Sequence, residues 1–446
     1  ELAGRFEDAL ANYAAMETRA RESKDRAMEL AALIAQATIR SSTSAVRDEE
    51  KAKQVSDAAL TLARDLKDEA AQAKILWNLS LMYSFSGHPR ESVESGEQSI
   101  AIARKIKLRE QLAYSLNDIS FGYMTLGQKE NARTSLQDAR EIWRALDNKS
   151  MLGDNLARAA MLGFLYGDLA ASQADATELV EISTRINNLW GLAEATGHQG
   201  GLLLEYGEPI EAIRELKASI EYGEQVGHVG AIIAGQLWLA GLYLQLGAVE
   251  RGIENAEQAE AKAKDSITSW QFWARAILAQ SFLLKGEFVQ ADELANQAYE
   301  NVPREDFLAF PYAAIAASQT ACAIKNYARA LDRADQLIAF LDQSGFRAFR
   351  ADANHARAMA FLGQGDYDQA RAALEQARAE AERQNSRRML WKILAARAEC
   401  ESNQAKAREW RAKSRGVVEY IAAHSPADLR GHFLNLPEVE RVMRLA

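Results

Sequence analysis

Near the end of the sequence, three side chains have types and spacing that are compatible with metal binding. His424, Asp428 and His432 follow one another at intervals of four residues, which would place imidazole and carboxylate groups on one face of a helix. However, Ser425-Pro426-Ala427-Asp428 resembles a capping box that opens a short helix with Pro426 at its first position, so His424 falls before the helix. We therefore predict a capping segment on the surface here and no metal site.

Motifs for catalysis or cofactor binding are absent from the sequence. It contains no phosphate-binding loop, zinc-protease motif, paired-cysteine motif or serine-nucleophile motif. The glycine-rich stretch at 197–201 falls inside a predicted helix, so it does not form a phosphate loop. We predict that the protein is not an enzyme, that it has no catalytic residues and that it needs no cofactor.

Aromatic, amide and charged side chains instead form a pattern that suits binding. They recur at matching positions of successive predicted helices, where they would line the inner face of a repeat array. The candidate partner-binding residues are Trp77, Tyr114, Asn117, Phe121, Asp154, Arg158, Glu194, Gly201, Trp270, Trp273, Gln280, Tyr312 and Gln319. Alternatives stay open, because aromatic residues at this spacing also form the core between repeats, and Asp154 with Arg158 also fits an ion pair on a helix surface.

Three glycines, Gly197, Gly201 and Gly241, fall on the same predicted face near the middle of the chain. The absence of side chains there should leave the face hollow, with the candidate aromatic residues on either side. A hollow with aromatic walls and a few polar groups is a common form of peptide or small-molecule site. We predict a ligand there, although the glycines would equally allow the helices to pack closely.

The helices that would position these residues follow from a repeat of about 40 residues. Glycine recurs at the same place in each unit, after a stretch in which apolar residues are spaced for one helical face. The series is Gly87, Gly127, Gly167, Gly207, Gly247 and Gly286, then a Lys325-Asn326 turn, then Gly365. Because glycine tolerates the left-handed conformation, we predict that each of these positions ends a first helix and begins a turn.

Small residues recur five positions after these turns and would let a second helix lie close against the first. They are Ser92, Ala132, Ser172, Ala212, Gly252, Ala291, Ala330 and Ala370. We predict an all-α fold, a right-handed α-solenoid of antiparallel helical hairpins. It would form one domain over 1–446, with a half hairpin at 1–25, ten hairpins over about 26–424 and capping helices at 425–446. The turn of the first full hairpin falls near 41–47.

The composition is typical of a soluble helical protein. The 446 residues are 48% hydrophobic and 26% charged, with only 6 prolines, and no apolar run reaches the roughly 20 residues that span a bilayer. The net charge of −9 argues against direct nucleic-acid binding, although residues 346–446 carry a positive balance. The two cysteines lie far apart in helical patterns, which favours a reducing, cytoplasmic compartment.

The repeat resembles a known family. Gly365-Asp366-Tyr367-Asp368-Gln369-Ala370 is close to the consensus turn of tetratricopeptide repeats, and the long units resemble the arrays of large bacterial signalling proteins. Those proteins include maltose-regulator-type transcription activators and nucleotide cyclases with a nucleotide-binding domain. The tail from Asp428 to Val439 is similar to the segment that closes such arrays. The resemblance implies upstream domains in a parent chain.

Two functions are compatible with these features. The first is a non-enzymatic regulatory or sensing module of a bacterial signalling protein, which binds a peptide, a protein or a small-molecule effector on its inner face. The alternative is a free-standing adaptor or scaffold that assembles a protein complex. Neither function involves a membrane or direct contact with nucleic acid.

Overall fold

The computed structural model describes residues 6–41, 46 and 48–445, and its regular structure there is helical. The helices of the first part of the chain are α1 (Phe6–Ser23), α2 (Arg26–Ser41), α3 (Glu49–Asp65), α4 (Glu69–Phe85), α5 (Pro89–Lys105), α6 (Arg109–Thr125), α7 (Lys129–Ala145) and α8 (Lys149–Leu165). Those of the middle part are α9 (Leu169–Arg185), α10 (Leu189–Tyr206), α11 (Pro209–Val226), α12 (Val229–Gln245), α13 (Val249–Lys264), α14 (Trp270–Lys285), α15 (Phe288–Asn301) and α16 (Ala309–Ala323). The last are α17 (Tyr327–Ser344), α18 (Arg350–Gln364), α19 (Tyr367–Arg383), α20 (Arg387–Glu399), α21 (Gln404–Ala423), α22 (Ala427–Leu434) and α23 (Pro437–Leu445).

The helices pair in chain order, and we number the hairpins 1 to 10 from α2/α3 to α20/α21. Helix α1 precedes them, and α22 and α23 follow. The fold is therefore the predicted all-α solenoid of helical hairpins. Residues 1–5 of the predicted half hairpin, and 42–45 and 47 of the first predicted turn, lie outside the described residues.

The turn within each of hairpins 2 to 9 is the predicted one. Its central residue has a positive φ in every case, from +64° at Lys325 to +80° at Gly286 and Gly365. Because this region of backbone space favours glycine, the 40-residue glycine series marks the helix ends directly.

Small residues after these turns allow the close packing that was predicted. Ala132, Ser172, Ala212, Ala291 and Ala330 are all fully buried between the two helices of their hairpins. In the described part of the chain, the first helices of successive hairpins also contact one another. Helix α2 contacts α4, for example, and α14 contacts α16. The second helices contact one another far less. The first helices therefore form the inner face of the array.

The chain divides into two compact units, unit 1 at residues 1–155 and unit 2 at 156–446, with the boundary inside α8. Each unit is described by itself below. The prediction of one undivided domain stays a prediction.

Unit 2 winds tightly enough that its early hairpins contact its late ones. The backbone amides of Arg347 and Ala348 donate to the Leu165 carbonyl at 2.8 and 3.0 Å, and the amide of Ile210 donates to the His424 carbonyl at 3.1 Å. These backbone bonds join the turns of hairpins 4 and 5 to segments that follow hairpins 8 and 10.

The short helix α22 does not begin as predicted. Its N-cap is Pro426, and the Ser425 hydroxyl donates back to the Ile421 carbonyl of α21 at 2.7 Å. The capping box predicted at Ser425 is therefore wrong, because the preceding helix uses the serine hydroxyl. None of the described helices is long and apolar enough to cross a membrane.

Candidate functional site

The inner face of unit 1 carries a row of partly exposed aromatic side chains. Trp77 on α4 and Tyr114 on α6 lie with their ring centroids 5.5 Å apart, and Phe121 lies two helical turns beyond Tyr114 on the same helix. Tyr114 also packs edge-on against the buried Trp143, with centroids 4.9 Å apart. The structure thus brings Trp77 and Tyr114 together, as the repeat register predicted.

Buried polar side chains form hydrogen bonds to this row. Asn117 is fully buried, donates to Asp154 Oδ2 at 2.7 Å and accepts from Asn155 Nδ2 at 2.9 Å. The neighbouring Asp118, also buried, accepts from Trp77 Nε1 at 2.7 Å. Because buried polar groups need partners, these bonds fix the Trp77 ring and the Asp154 carboxylate in one orientation.

The electrostatic environment of the row is negative around Tyr114. Burial raises the pKa of the Tyr114 phenol, and the carboxylates of Glu110, Asp118 and Asp154 raise it further. A site with this field favours cationic groups over anionic ones. Asn117 itself is too deeply buried to touch a ligand, so its role is to position Asp154.

The inner face of unit 2 is filled by aromatic rings. Trp273 is fully buried and stacks on Tyr312 with centroids 4.4 Å apart, while Trp270 packs edge-on against Trp273 at 6.0 Å. Trp238 lies 6.4 Å from Trp273 on the other side, and Phe349 packs edge-on against Tyr312 at 5.2 Å. The predicted aromatic group therefore exists, but its centre is core and does not offer a contact surface.

The two glutamines predicted as partner-binding residues in unit 2 bond to each other. Gln280 Nε2 donates to Gln319 Oε1 at 2.9 Å, which links α14 to α16. Both side chains are half-buried. The pair joins equivalent positions of neighbouring first helices.

The hollow predicted in the middle of the inner face is wrong at two of its three glycines. A Cβ atom at Gly201 would lie 2.6 Å from the Trp238 ring, so the space beside this glycine holds the indole. At Gly197 it would lie 3.0 Å from Ser219 Oγ on the second helix, where the glycine allows close packing. Only Gly241, next to open space, fits the prediction among the three.

A buried charged cluster joins distant hairpins of unit 2. Arg388 on α20 donates through Nε to Glu205 on α10 and through both terminal nitrogens to Asp352 on α18, each at 2.7 Å. Burial opposes the charge of Arg388, but the two carboxylates outweigh it and raise its pKa. The cluster ties the fifth hairpin to the ninth and tenth.

Glu194 and Arg158 belong to a second cluster in unit 2. Glu194 hydrogen-bonds His228, whose ring stacks on Trp190 with centroids 3.7 Å apart. Burial alone would raise the pKa of Glu194, but the bond to His228 and the charges of His198, His228 and Arg158 lower it overall. Glu194 lies on α10 and Arg158 on α8, so this cluster involves the first helices of hairpins 4 and 5.

The three side chains at metal-ligand spacing do not converge. His424 bonds the Tyr420 carbonyl and stacks on the Tyr420 ring, while Asp428 pairs with Arg251 at 2.9 Å. Within the described residues, no group of three or more histidine, cysteine or acidic side chains is arranged to hold a metal ion.

Several important residues were missed by one position. Asp118 and Asn155 lie directly beside the predicted Asn117 and Asp154. Trp238, on the first helix α12 of hairpin 6, was also missed. A register counted back from the glycines fixes the helical face only to about one residue, so a neighbour can take the inner position. Tryptophan on an inner helix was the available signal for Trp238.

Comparison with known proteins gives a match to one sequence family and a low similarity to several solved structures. The sequence model of the tetratricopeptide repeat matches residues 351–377, and no curated protein sequence matches the chain. Among solved structures, a Rap protein complexed with Competence and Sporulation Factor is 14% identical with a TM-score of 0.46, over 74% of this chain and 96% of that one.

Two further solved structures show a similar degree of likeness. Yeast Tom70 is 12% identical with a TM-score of 0.38, over 89% of this chain and 92% of that one. A signal transduction ATPase with a tetratricopeptide repeat sensor, from Pyrococcus horikoshii, is 16% identical with a TM-score of 0.42, over 74% and 52% of the two chains. The repeat match and the registered hairpins together identify this chain as an α-solenoid of tetratricopeptide type.

Proposed function

We propose that this protein is a non-enzymatic interaction module that binds a peptide segment of a partner protein along the inner face of unit 1. The contact row consists of Trp77, Tyr114, Phe121 and Asp154. The observation that supports this most strongly is that buried groups already hold two of these four side chains in place. A site that is ordered before binding loses less conformational entropy when the partner arrives.

The chemistry of the row favours a peptide with both apolar and basic side chains. Partly exposed tryptophan, tyrosine and phenylalanine rings offer apolar contact at low entropic cost, and an arginine or lysine can also lie over their faces. The carboxylates around Tyr114 add attraction for a cation. An acidic peptide would meet the same carboxylates unfavourably.

This proposal does not place the ligand in the interior of unit 2. Its aromatic side chains pack against one another. The cavity lined by Leu204, Trp391, Lys392 and Phe433 has a volume of about 20 Å³. Such a cavity holds about one water molecule, whereas small-molecule pockets measure hundreds of cubic ångströms. In this proposal unit 2 acts as a rigid support.

The experiment is a selection of binding peptides from a random displayed library on the intact protein. We expect the selected peptides to combine arginine or lysine with aromatic or aliphatic residues. Their affinity, measured by calorimetry, should fall at least tenfold for Trp77→Ala and for Tyr114→Ala, because truncated aromatic anchors commonly carry much of the binding energy. It should also weaken with rising salt.

The matched control is Tyr367→Ala, which removes an exposed aromatic side chain from the first residue of α19 in unit 2. It should leave the affinity unchanged. Selected peptides that bind the Trp77 and Tyr114 variants as tightly as the wild type would contradict the proposal.

The same row would serve a regulatory module of a larger bacterial signalling protein or a free-standing adaptor. We favour the first because of the resemblance of the long repeat units. The reading frame upstream of Glu1 distinguishes the two, since a domain encoded there would be the natural recipient of a signal from the bound peptide.

A further inference from the structure

A chain of hydrogen bonds in unit 1 runs from the second helix of hairpin 3 to the contact row. At its outer end, Arg140 Nε on α7 donates to Asn155 Oδ1 at 3.0 Å. Asn155 Nδ2 donates to Asn117 Oδ1 at 2.9 Å, and Asn117 Nδ2 donates to Asp154 Oδ2 at 2.7 Å. Each group therefore donates in the direction of the Asp154 carboxylate.

The direction of these bonds is set by the groups at the two ends of the chain. A guanidinium only donates hydrogen bonds and a carboxylate only accepts them, whereas an asparagine amide does both. Each amide has two orientations, related by exchange of its oxygen and nitrogen. Between Arg140 and Asp154, only the observed pair of orientations leaves every group with a partner. If Asn117 turned over, its oxygen would face the Asp154 carboxylate, and the two acceptors would repel each other.

Helix α7 holds the Asn155 amide at two points. Arg140 donates to its oxygen, and the backbone carbonyl of Leu136 accepts from its nitrogen at 3.0 Å. Because Leu136 and Arg140 are four residues apart, the amide lies along one turn of α7. Asn155 is fully buried, and a buried polar group that loses its partners is destabilising. The orientation of Asn155 is therefore fixed by the helix against which it packs.

Asn117 passes this orientation on to two members of the contact row. Besides Asp154, its Nδ2 donates to Asp118 Oδ1 at 3.4 Å, and Asp118 Oδ2 accepts from Trp77 Nε1 at 2.7 Å. One amide thus holds the Asp154 carboxylate directly and the Trp77 ring through Asp118. Asn117 and Asn155 are both fully buried, so neither touches a ligand on the row.

Charged side chains of both signs lie near the row. Three carboxylates act on the Tyr114 phenol, those of Glu110, Asp118 and Asp154. Two cations, Lys74 on α4 and Arg158 on α8, lie about one helical turn from members of the row. Three carboxylates against two cations leave a single negative charge. A preference for basic peptides therefore depends more on where the carboxylates are held than on their number.

We propose that Asn155 is a positioning residue that gives the contact row its preference for basic peptides. It fixes Asn117 as a donor to Asp154, and this keeps the carboxylate in place to bind an arginine or lysine of the partner. Arg140 acts in the same way from α7, although its own charge opposes a basic ligand. The inference rests on the proposed function and predicts an effect that the total charge of the site does not.

The experiment uses an arginine-containing peptide from the library selection and a copy with citrulline in place of arginine. Citrulline keeps the shape of the side chain but has no charge, so the ratio of the two affinities measures recognition of the charge. Calorimetry should show this ratio falling by about fivefold or more in Asn155→Leu, which keeps the volume but cannot donate to Asn117. Circular dichroism should show that the variant is folded.

Arg140→Met tests the same chain at a half-buried position, without removing a fully buried side chain. Loss of a cation would by itself raise the ratio, whereas loss of the donor to Asn155 should lower it by about twofold to threefold. Arg140→Lys, which keeps a group that only donates, should restore the ratio. The matched control is Arg133→Met, which removes an exposed cation two turns earlier on α7 and should not lower it.

An unchanged ratio in Asn155→Leu, or a raised ratio in Arg140→Met, would overturn the proposal. The free protein gives a second readout, the side-chain amide signal of Asn117 in nuclear magnetic resonance spectra. This signal should move in both variants, because the amide is no longer held towards Asp154, and a signal that stays in place would also overturn the proposal. If the affinities do not depend on Trp77 or Tyr114, the proposed function fails, and the Asn117 signal still decides whether Asn155 holds this amide.

Discussion

Tyr114 in unit 1 and Trp273 in unit 2 occupy the same position of their repeats, thirteen residues before the turn centre. Tyr114 is partly exposed and sits in a field of carboxylates, whereas Trp273 is fully buried between other rings. The inner positions around Tyr114 are occupied by amide and carboxylate groups that hydrogen-bond to one another and to Trp77. Around Trp273 they are completed by aromatic rings that fill the space.

This difference shows that one repeat pattern can produce either a binding row or a core. The positions are set by the repeat, but their use depends on how far the array winds. Unit 2 brings hairpins four apart into contact, and its inner side chains must fill the space that remains. We expect four substitutions or conditions to test the contrast, from the largest effect to the smallest.

Arg388→Ala should destabilise unit 2 by about 3–5 kcal/mol, because it leaves Glu205 and Asp352 buried without their partner. Urea unfolding followed by circular dichroism measures this. Arg104→Ala, which breaks an exposed ion pair with Asp138 in unit 1, should cost no more than about 1 kcal/mol. Equal losses of stability in the two variants would mean that the Arg388 cluster does not stabilise the contact between distant hairpins of unit 2.

Acid should weaken unit 2 through His355. Burial and the nearby Lys392 lower the pKa of His355 to about 4, although Glu438 and Asp352 partly oppose this. Because the unfolded chain binds the proton first, this contribution to stability is fully present above about pH 6.5 and is lost as pH falls towards 4, by up to about 3 kcal/mol. His355→Gln should flatten the stability curve over that range, and an unchanged slope would contradict the assignment.

Gly201→Ala should destabilise unit 2 by about 1–3 kcal/mol, because the new methyl group would overlap the Trp238 ring. Gly241→Ala is the matched control, one repeat later at the same position, where a methyl group meets nothing within 4 Å. It should stabilise its helix by about 0.5–1 kcal/mol. Thermal unfolding of the pair would show whether the hollow is truly filled at one glycine and open at the other.

Trp77→Phe should cost unit 1 about 1–2 kcal/mol, since the buried Asp118 loses its indole donor. Hydrogen exchange of α4 and α6 would detect the change. Tyr367→Phe, which removes an exposed hydroxyl, should stay within about 0.5 kcal/mol of the wild type. If the two variants exchange alike, Asp118 does not hold the ring.

The sequence predicted the fold well because its signal is repeated. The left-handed turns and the small buried residues recur with the same spacing. A pattern that could arise by chance in one hairpin is therefore confirmed by the others. The same register placed Trp273, Tyr312, Gln280 and Gln319 on the inner helices, but their contacts with one another were not predicted.

The filling of the inner face could not be predicted in this way. Whether Gly201 borders a hollow or an indole depends on the small rotation between successive hairpins, which no single repeat encodes. The bond of Glu205 to Arg388 also depends on the sum of these rotations. Such contacts join residues with no shared pattern in the sequence.

The long-range bonds of unit 2 also affect how the chain folds. In an open repeat array each hairpin contacts only its neighbours, so unfolding can begin at an end and spread. The bonds of Arg387 and Arg388 to residues 181 and 183 positions earlier close a large loop instead. Unit 2 should therefore fold more slowly than unit 1, since this loop must close first, and lose its structure in one cooperative step.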